Sequence, residues 1–361
     1  MAQAAIIVGA GVIGVASAYA LARKGWRVTL IDEADGPAMG TSHANGAQLS
    51  YCFTDAQGSP ATLASLPRLI AGKGGVSIEL SARPEYLRWL AEFARNCTSH
   101  RFRTNTLAVL NLAERSRLAM DRLRDCHELD FEHHQAGKVN LIYSAKERAQ
   151  AEKVMALKRE GSCKQELLGR ADLEGLDPAL SGLDHGAIGG VSTPSEMVGN
   201  PLKFCHALLE LLTKHYGVET RFKAGVSAIR DGGQTACLAL DDGEELTADM
   251  AIVACGHDSN LLLRPLGHAV RVQPMKGYSF EMPLTVGSPR ISLTDGKRRL
   301  VFTNLGDRMR VAGIAELGNG SREIDPGRIE WLRQAAQHCL PNGGDYSRAS
   351  HFQAPLFPQP A

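Results

Sequence analysis

The chain has 361 residues, 44% of them hydrophobic, with 40 Lys+Arg against 39 Asp+Glu. That balance excludes a global electrostatic attraction to nucleic acid or anionic lipid. Length and apolar content suit one or two domains built around a large core.

The first segment, AAIIVGAGVIGVASAYALARKGWRVTLIDE, runs from Ala4 to Glu33 and is uncharged as far as Ala22. It has no basic leader, so it does not read as a signal peptide. Its glycines and alanines argue against a membrane span, and no transmembrane segment is predicted. It splits instead into a short buried strand (AAIIV), a helix and a second strand (RVTLI). The helix is predicted to turn Val12, Val15, Ala16, Tyr19 and Ala20 to the core and to close at Gly25.

Between strand and helix stands Gly9-x-Gly11-x-x-Gly14, and Asp32 follows Gly14 by 18 residues. In this context the pattern is a dinucleotide-binding fingerprint. Gly9 permits the tight turn, Gly11 lets backbone approach a pyrophosphate, and Gly14 lets helix and strand lie close. Val12 and Ile13 complete the helix N-terminus, whose N–H groups and dipole favour phosphate. Asp32 can accept from both ribose hydroxyls and would repel a 2′-phosphate. Glu33 is the other candidate for the ribose.

The next stretch, GTSHANGAQLSYCF, spans Gly40 to Phe53. It keeps the Gly, Ser, Thr and Asn composition of tight turns, where a nicotinamide-binding domain would continue its strand–helix alternation. This suits a larger, permanently held cofactor. Thr41, Ser42, Asn45, Gln48 and Leu49 are its candidate contacts, with His43 as a contact or packing residue.

Downstream, PEYLRWLAEFARNC reads as a helix with Tyr86, Leu87, Leu90, Phe93 and Ala94 at helical intervals. A long amphipathic helix carries Leu107, Leu110, Leu118 and Leu123. Residues 138–144 read as a strand, and ERAQAEKVMALKREG as a helix whose charge runs form a solvated face. An amphipathic helix follows Asn200. VETRFKAGVSAIR and ADMAIVACG read as buried strands. RLVFTNLGDRMRVAGIAEL reads as a hairpin turning at Gly306-Asp307. The last helix takes Asp325 as N-cap, Pro326 at its first position and a stop at Pro341.

The fingerprint, TSHANGAQLSY, PEYLRWLAEFARNC, VSTPSEMVGNPLKFCHAL, ADMAIVACGHDSNLLLRPLG, VQPMKGYSFE and LGDRMRVAGIAEL stand in one order between residue 4 and about residue 317. With them the chain resembles the D-amino acid oxidase and glycine oxidase superfamily, above all its bacterial D-amino acid dehydrogenase and D-hydroxyproline dehydrogenase branch. The resemblance implies an α/β fold. A Rossmann-like FAD-binding domain (1–80 and 185–268) would be interleaved with an α+β substrate domain of the D-amino acid oxidase type (81–184 and 269–345), ahead of an irregular tail (346–361). It implies FAD as cofactor, with Val226 offering backbone to the adenine and Ala254 and Gly256 beside the pyrophosphate.

It further implies oxidative deamination of D-amino acids, of the D-alanine or D-hydroxyproline type, by hydride transfer to flavin N5. Such chemistry needs orientation, a carboxylate anchor and desolvation, so no general base is nominated. Tyr51 and Tyr278 are the substrate-positioning candidates, and either could equally be a buried aromatic. Electrons would pass to a quinone-type acceptor. The protein would be cytoplasmic, with peripheral association to the inner membrane left open. Family members carry an Arg-containing segment and a Gly-rich strand–helix after the last helix. Here SRASHFQAPLFPQPA stands instead, which puts catalysis and flavin retention in doubt. An oxidase or dehydrogenase of another secondary amine (sarcosine or proline), and a non-catalytic subunit of the same fold, are the alternatives. The eight cysteines include no C-x-x-C pair and read as buried thiols of a reducing compartment. The 12 histidines show no zinc-ligand spacing, so no metal is predicted.

Overall fold

The structure is a computed structural model that describes residues 2–70, 75–161 and 163–360. Strand β1 (Ala4–Val8), helix α1 (Val12–Ala22) and strand β2 (Arg27–Ile31) form the expected unit. β1 lies parallel between β2 and Met250–Val253, and Glu219–Arg221 adds a fourth parallel strand beside β2. Parallel strands are buried on both faces. One face packs on α1 and the helix Pro201–Tyr216, through Val15, Ala18, Tyr19, Phe204, Leu208 and Leu212. The other is covered by the antiparallel sheet Val226–Asp231, Ala236–Leu240 and Glu245–Ala248.

The buried positions of α1 are Gly14, Val15, Ala18, Tyr19 and Ala22. The prediction for Ala16 and Ala20 is thus corrected: both are exposed, because the stripe is set by the helix–helix contact as well as by the sheet. The segment predicted as one strand, VETRFKAGVSAIR, is two. The chain breaks at residues 222–225, where Lys223 adopts φ 55, and its halves enter different sheets.

A second body is a larger mixed sheet. Its strand order is Ser350–Gln353, Val272–Pro283, Arg308–Leu317, Leu300–Asn304, Ser292–Asp295, Lys138–Ile142, Gly189–Thr193 and Glu166–Gly169. Alternation sorts its side chains. Val139, Phe280, Leu293, Phe302 and Val311 face the helix Pro326–Cys339 in the larger core cluster. Lys138, Asn140, Ser279, Ser292, Thr294, Thr303 and Arg310 share the opposite face, which looks toward the nucleotide-type fold.

Three predictions need correction. Residues 350–353 and 356–360 are strands, both paired with Val272–Pro283, so the tail is not irregular. That strand's free backbone groups supply the partners that the proline-rich composition hides. Cys52 and Cys163 are joined in a disulfide, across 111 residues of sequence, which no spacing rule reveals. The charged helix, Ala145–Arg159, is not simply a solvated face, because Met155, Leu157 and Lys158 are buried.

Gly14 lies where α1 touches its own preceding turn, and a Cβ there would overlap the carbonyl of Gly9. Gly14→Ala is therefore expected to lower the unfolding midpoint sharply or to prevent folding, as read by circular dichroism and denaturant titration. A variant with wild-type stability would show that the turn can open.

Candidate functional site

The site begins at the β1–α1 turn. Gly9 has φ +104, and a Cβ on it would stand 2.6 Å from the carbonyl oxygen of Ala254. Ala254 in turn donates its N–H to Val8 O at 2.7 Å, and Gly256 follows with φ 59. The N–H groups of Gly11, Ile13 and Gly14 have no acceptor among the described residues, as expected for a helix N-terminus awaiting an anion. At Gly11 a Cβ would meet only Ser42 Oγ, at 3.4 Å. Space in front of Gly11 is therefore open, whereas Gly9 and Gly14 are closed by the protein itself. Ile13 is 66% exposed beside it.

The Asp32 carboxylate accepts from Ala10 N at 2.6 Å and Ala34 N at 2.9 Å. These bonds hold it at the turn, and its remaining lone pairs stay available for a ribose. Glu33 is exposed and lies 3.6 Å from Arg322. Val226 opens the adjoining antiparallel sheet and packs near Ile6, Val8 and Ile31. Cys255 gives its thiol to Val8 O, and burial pushes its pKa up to about 11, so it is a packed thiol and not a nucleophile.

The loop from Thr41 to Phe53 bridges the two bodies. Ser42 Oγ accepts from Val12 N at 3.0 Å, and Thr41 gives its hydroxyl to Leu356 O in the last strand. The loop's carbonyls are then taken by the large sheet. Ser279 Oγ donates to Ala44 O at 3.0 Å, Arg310 to Asn45 O at 3.4 Å, and Thr303 Oγ1 to Gly46 O at 2.7 Å. Asn45 Oδ1 accepts from Ala47 N, and Gln48 gives its amide to Ser292 Oγ. Leu49, with Gln48, pairs with Met197–Val198.

Arg310 is the buried end of an ion-pair chain that runs out to the exposed Lys203. It donates to Glu281 at 2.6 Å, Arg308 joins Glu281 to Glu132, and Lys203 reaches Glu132 at 2.6 Å. Burial raises the Glu132 pKa, but hydrogen bonds from Arg308, Lys203 and Asn200 outweigh it and hold it near about 2. His43 is lowered by burial and then by Arg310, and its Nδ1 has no partner.

Residues 51–53 hang on one carboxylate. Glu196, 2% exposed, accepts from Cys52 N at 2.6 Å and from Tyr51 N and Phe53 N at 3.1 Å each. The sequence reading missed Glu196. Its only signal was a carboxylate inside an otherwise apolar and small-residue stretch. Tyr51 is itself buried, and burial followed by Asp121 and Glu196 raises its pKa to about 12.

Two cavities lie along the loop-facing side of the large sheet. The larger, about 530 Å³, sits between the sheet and the helix Ala145–Arg159, with Phe53, Asn140, Lys158 and Gln165 in its wall. The smaller, about 290 Å³, is bounded by Ala44–Gly46, Gly277, Tyr278 and Phe357. Tyr278 lines the second cavity, while its hydroxyl donates to Glu316 at 3.2 Å. Tyr51 is in the wall of neither. Among the described residues no cluster of His, Cys, Asp or Glu could hold a metal ion, and no helix is long and apolar enough to cross a membrane.

Replacing Glu196 by Gln leaves the three N–H donors one neutral acceptor. The variant is expected to lose about 2–4 kcal/mol of stability in urea titration, the cost of stranded buried donors. No loss would mean that residues 51–53 find other acceptors.

Lys138 donates to Ser50 Oγ at 2.9 Å and stands 4.0 Å from the Phe53 ring centroid. Burial lowers its pKa from 10.5 to about 8. The unfolded chain then binds more protons between those values, so this residue makes stability rise with pH across that window. The rise is expected in urea midpoints between pH 8 and 10, and to shrink in Lys138→Met.

The comparisons with known proteins agree with this geometry. The family model described as FAD dependent oxidoreductase matches residues 4–359. A D-amino acid dehydrogenase 2 of Ralstonia nicotianae is 33% identical over 357 residues, covering 97% of this chain and 84% of that protein. The crystal structure of glycine oxidase from Geobacillus kaustophilus superposes with a TM-score of 0.74 at 17% identity, covering 99% of this chain and 84% of that one. An L-α-glycerophosphate oxidase from Mycoplasma pneumoniae with FAD bound gives a TM-score of 0.68 at 17% identity, covering 99% and 83%.

Proposed function

The chain belongs to the FAD dependent oxidoreductase family, and is an FAD-dependent enzyme acting on amino acids; from that premise we propose that its substrates are D-amino acids, oxidised to imino acids that water then hydrolyses. The observation that carries the reading is the join of an open, glycine-lined helix N-terminus to two cavities through one clamped loop. Supporting it, a relative named D-amino acid dehydrogenase is similar over nearly the whole chain.

The residues at the turn fit the cofactor. Gly11 would leave room for the pyrophosphate, Ile13 and Gly14 would offer it N–H donors, Asp32 would accept from the ribose, and Ser42 fixes the loop to the helix end. Bound FAD supplies the acceptor for a hydride from the substrate's α-carbon. The protein's part is to orient and to exclude water. The pinned carbonyls of Ala44, Asn45 and Gly46 hold one wall of the smaller cavity rigid. Tyr278 borders it too, with its ring packed in the core beside Phe280 and only 1% exposed. We assign 1–80 and 185–268 to cofactor binding, apart from the strands Val76–Ile78 and Gly189–Thr193 that lie in the large sheet, and 81–184 and 269–345 to substrate binding. A quinone-type compound is proposed as electron acceptor.

Two measurements test this. Anaerobic addition of D-amino acids to the flavin-loaded protein is expected to bleach the flavin absorbance, and their L-enantiomers to leave it. Bleaching by sarcosine or proline alone would overturn the substrate assignment. Gly11→Ala is expected to fold normally, because its Cβ meets nothing closer than 3.4 Å, yet to lose FAD. Stoichiometric flavin in that variant would move the phosphate site elsewhere.

A further inference from the structure

The larger cavity lies under the helix Ala145–Arg159. Ala151, Val154, Met155 and Lys158 line it, at spacings that put them on one face of that helix. Much of this face therefore looks onto open space. A small apolar cluster joins the helix to the sheet, with Met155 against Ile142 and Val191. Phe53 and Asp55, just after the clamped loop, belong to the wall that the loop supplies. Glu196 holds the N–H groups of residues 51–53 on that side, independently of the helix.

The two walls meet at the Cys52–Cys163 disulfide. Cys52 precedes Phe53, and Cys163 follows the helix end, where its N–H donates to Lys158 O at 3.3 Å. The pair packs on Leu110 in a cluster of three buried residues, apart from the main cores. The other polar tie between the walls, among the described residues, is Lys158 to Asp55 at 2.6 Å, and the Asp55 side chain is partly exposed. Such an ion pair holds weakly. Cys52 and Cys163 are each 7% exposed, and Phe53, Gly161 and Lys164 beside them are exposed. A segment held by few apolar contacts opens locally, without global unfolding, and so brings a bond of this kind to solvent.

We propose that the Cys52–Cys163 disulfide is a redox latch on the larger cavity, opened by a dithiol. One thiolate of the dithiol attacks a sulfur of the pair, and the other protein sulfur leaves as a thiolate. The second thiol of the dithiol then displaces the mixed disulfide. The dithiol ends as a disulfide, and Cys52 and Cys163 gain two electrons and two protons. In the oxidised form the helix is tied to the loop and the cavity keeps its size. In the reduced form the C-terminal end of the helix moves away from Phe53, and the cavity exchanges its contents more freely. Where the cavity serves the amino acid substrate, which rests on the reading above, reduction weakens substrate binding.

The experiment uses the flavin-loaded full chain and dithiothreitol, without denaturant. Alkylation and mass spectrometry are expected to find Cys52 and Cys163 linked before treatment and both alkylated after it. On reduction, amide hydrogen exchange over residues 145–161 is expected to become roughly tenfold faster, the sign of local opening. It is expected to slow again when glutathione disulfide restores the bond, and to stay unchanged over 4–31 and 326–339. Cys163→Ser is expected to exchange at the fast rate with or without dithiothreitol. The unmutated protein carries the test, so the test does not depend on the variant folding. With D-amino acids, KM is expected to rise on reduction while kcat changes less. Three outcomes would overturn the latch: free thiols at both positions after glutathione disulfide, reduction only in denaturant, or reduction that leaves exchange over 145–161 unchanged or speeds it throughout the chain. If exchange responds while no amino acid bleaches the flavin, the substrate reading fails and the latch stands. An unchanged KM in a protein whose exchange does respond would overturn the link to substrate binding.

Discussion

The structure depends on how the backbone of the loop from Thr41 to Phe53 is satisfied. A buried loop must place its N–H and C=O groups somewhere, and this one has almost no strand of its own. Its groups go outward in three directions. Ser42 ties it to the start of α1, Ser279, Thr303 and Arg310 take its carbonyls from the large sheet, and Glu196 collects the N–H groups of residues 51–53. The loop is thus a seam. It fixes the position of the nucleotide-type fold against the sheet, and so decides where the helix N-terminus stands relative to the cavities.

This explains the uneven legibility of the sequence. Local features were readable because their causes are local. The strand–helix–strand unit, the cap at Asp325 and the hairpin at Gly306 all follow from residues within one turn of each other. The cofactor side was readable for the same reason, since its glycines and Asp32 belong to one short unit. What failed was long-range. The break at Lys223 depends on two sheets competing for neighbouring residues. The strands after Ser350 depend on an edge more than 60 residues away. Alternation could place Asn140 and Thr294 on one face of a strand, but only pairing shows that they are side by side across it.

The same division separates the residues that hold the site from those that line it. Glu196 lies 143 to 145 residues from the N–H groups it accepts, and Cys52 lies 111 residues from Cys163. Neither has a motif, because the partner is a backbone group in one case and a matching thiol in the other. Tyr51 illustrates the converse. It was nominated for its position after the loop, and it is held there by Glu196, yet its ring is enclosed near α-helical Asp121 and Arg117 and not in a cavity wall. A residue adjacent in sequence to a site can be an anchor for the site's backbone and contribute no surface to it.

Charge is distributed by a consistent rule across the sheet face. Behind the loop, Glu132, Arg308, Glu281 and Arg310 form a closed chain in which each charge meets an opposite one. Such a chain adds little net stability, because desolvation offsets the Coulomb gain. It does fix directions: Arg310 has one orientation that satisfies both Glu281 and the carbonyl of Asn45. At the far end of the sheet, on its core-facing side, Arg298 is closed off in the same way by Asp184 and Asp295. Arg299, next in sequence, is turned out of that arrangement by its left-handed backbone. Two adjacent arginines thereby come to opposite ends, one neutralised inside the fold and one left facing space.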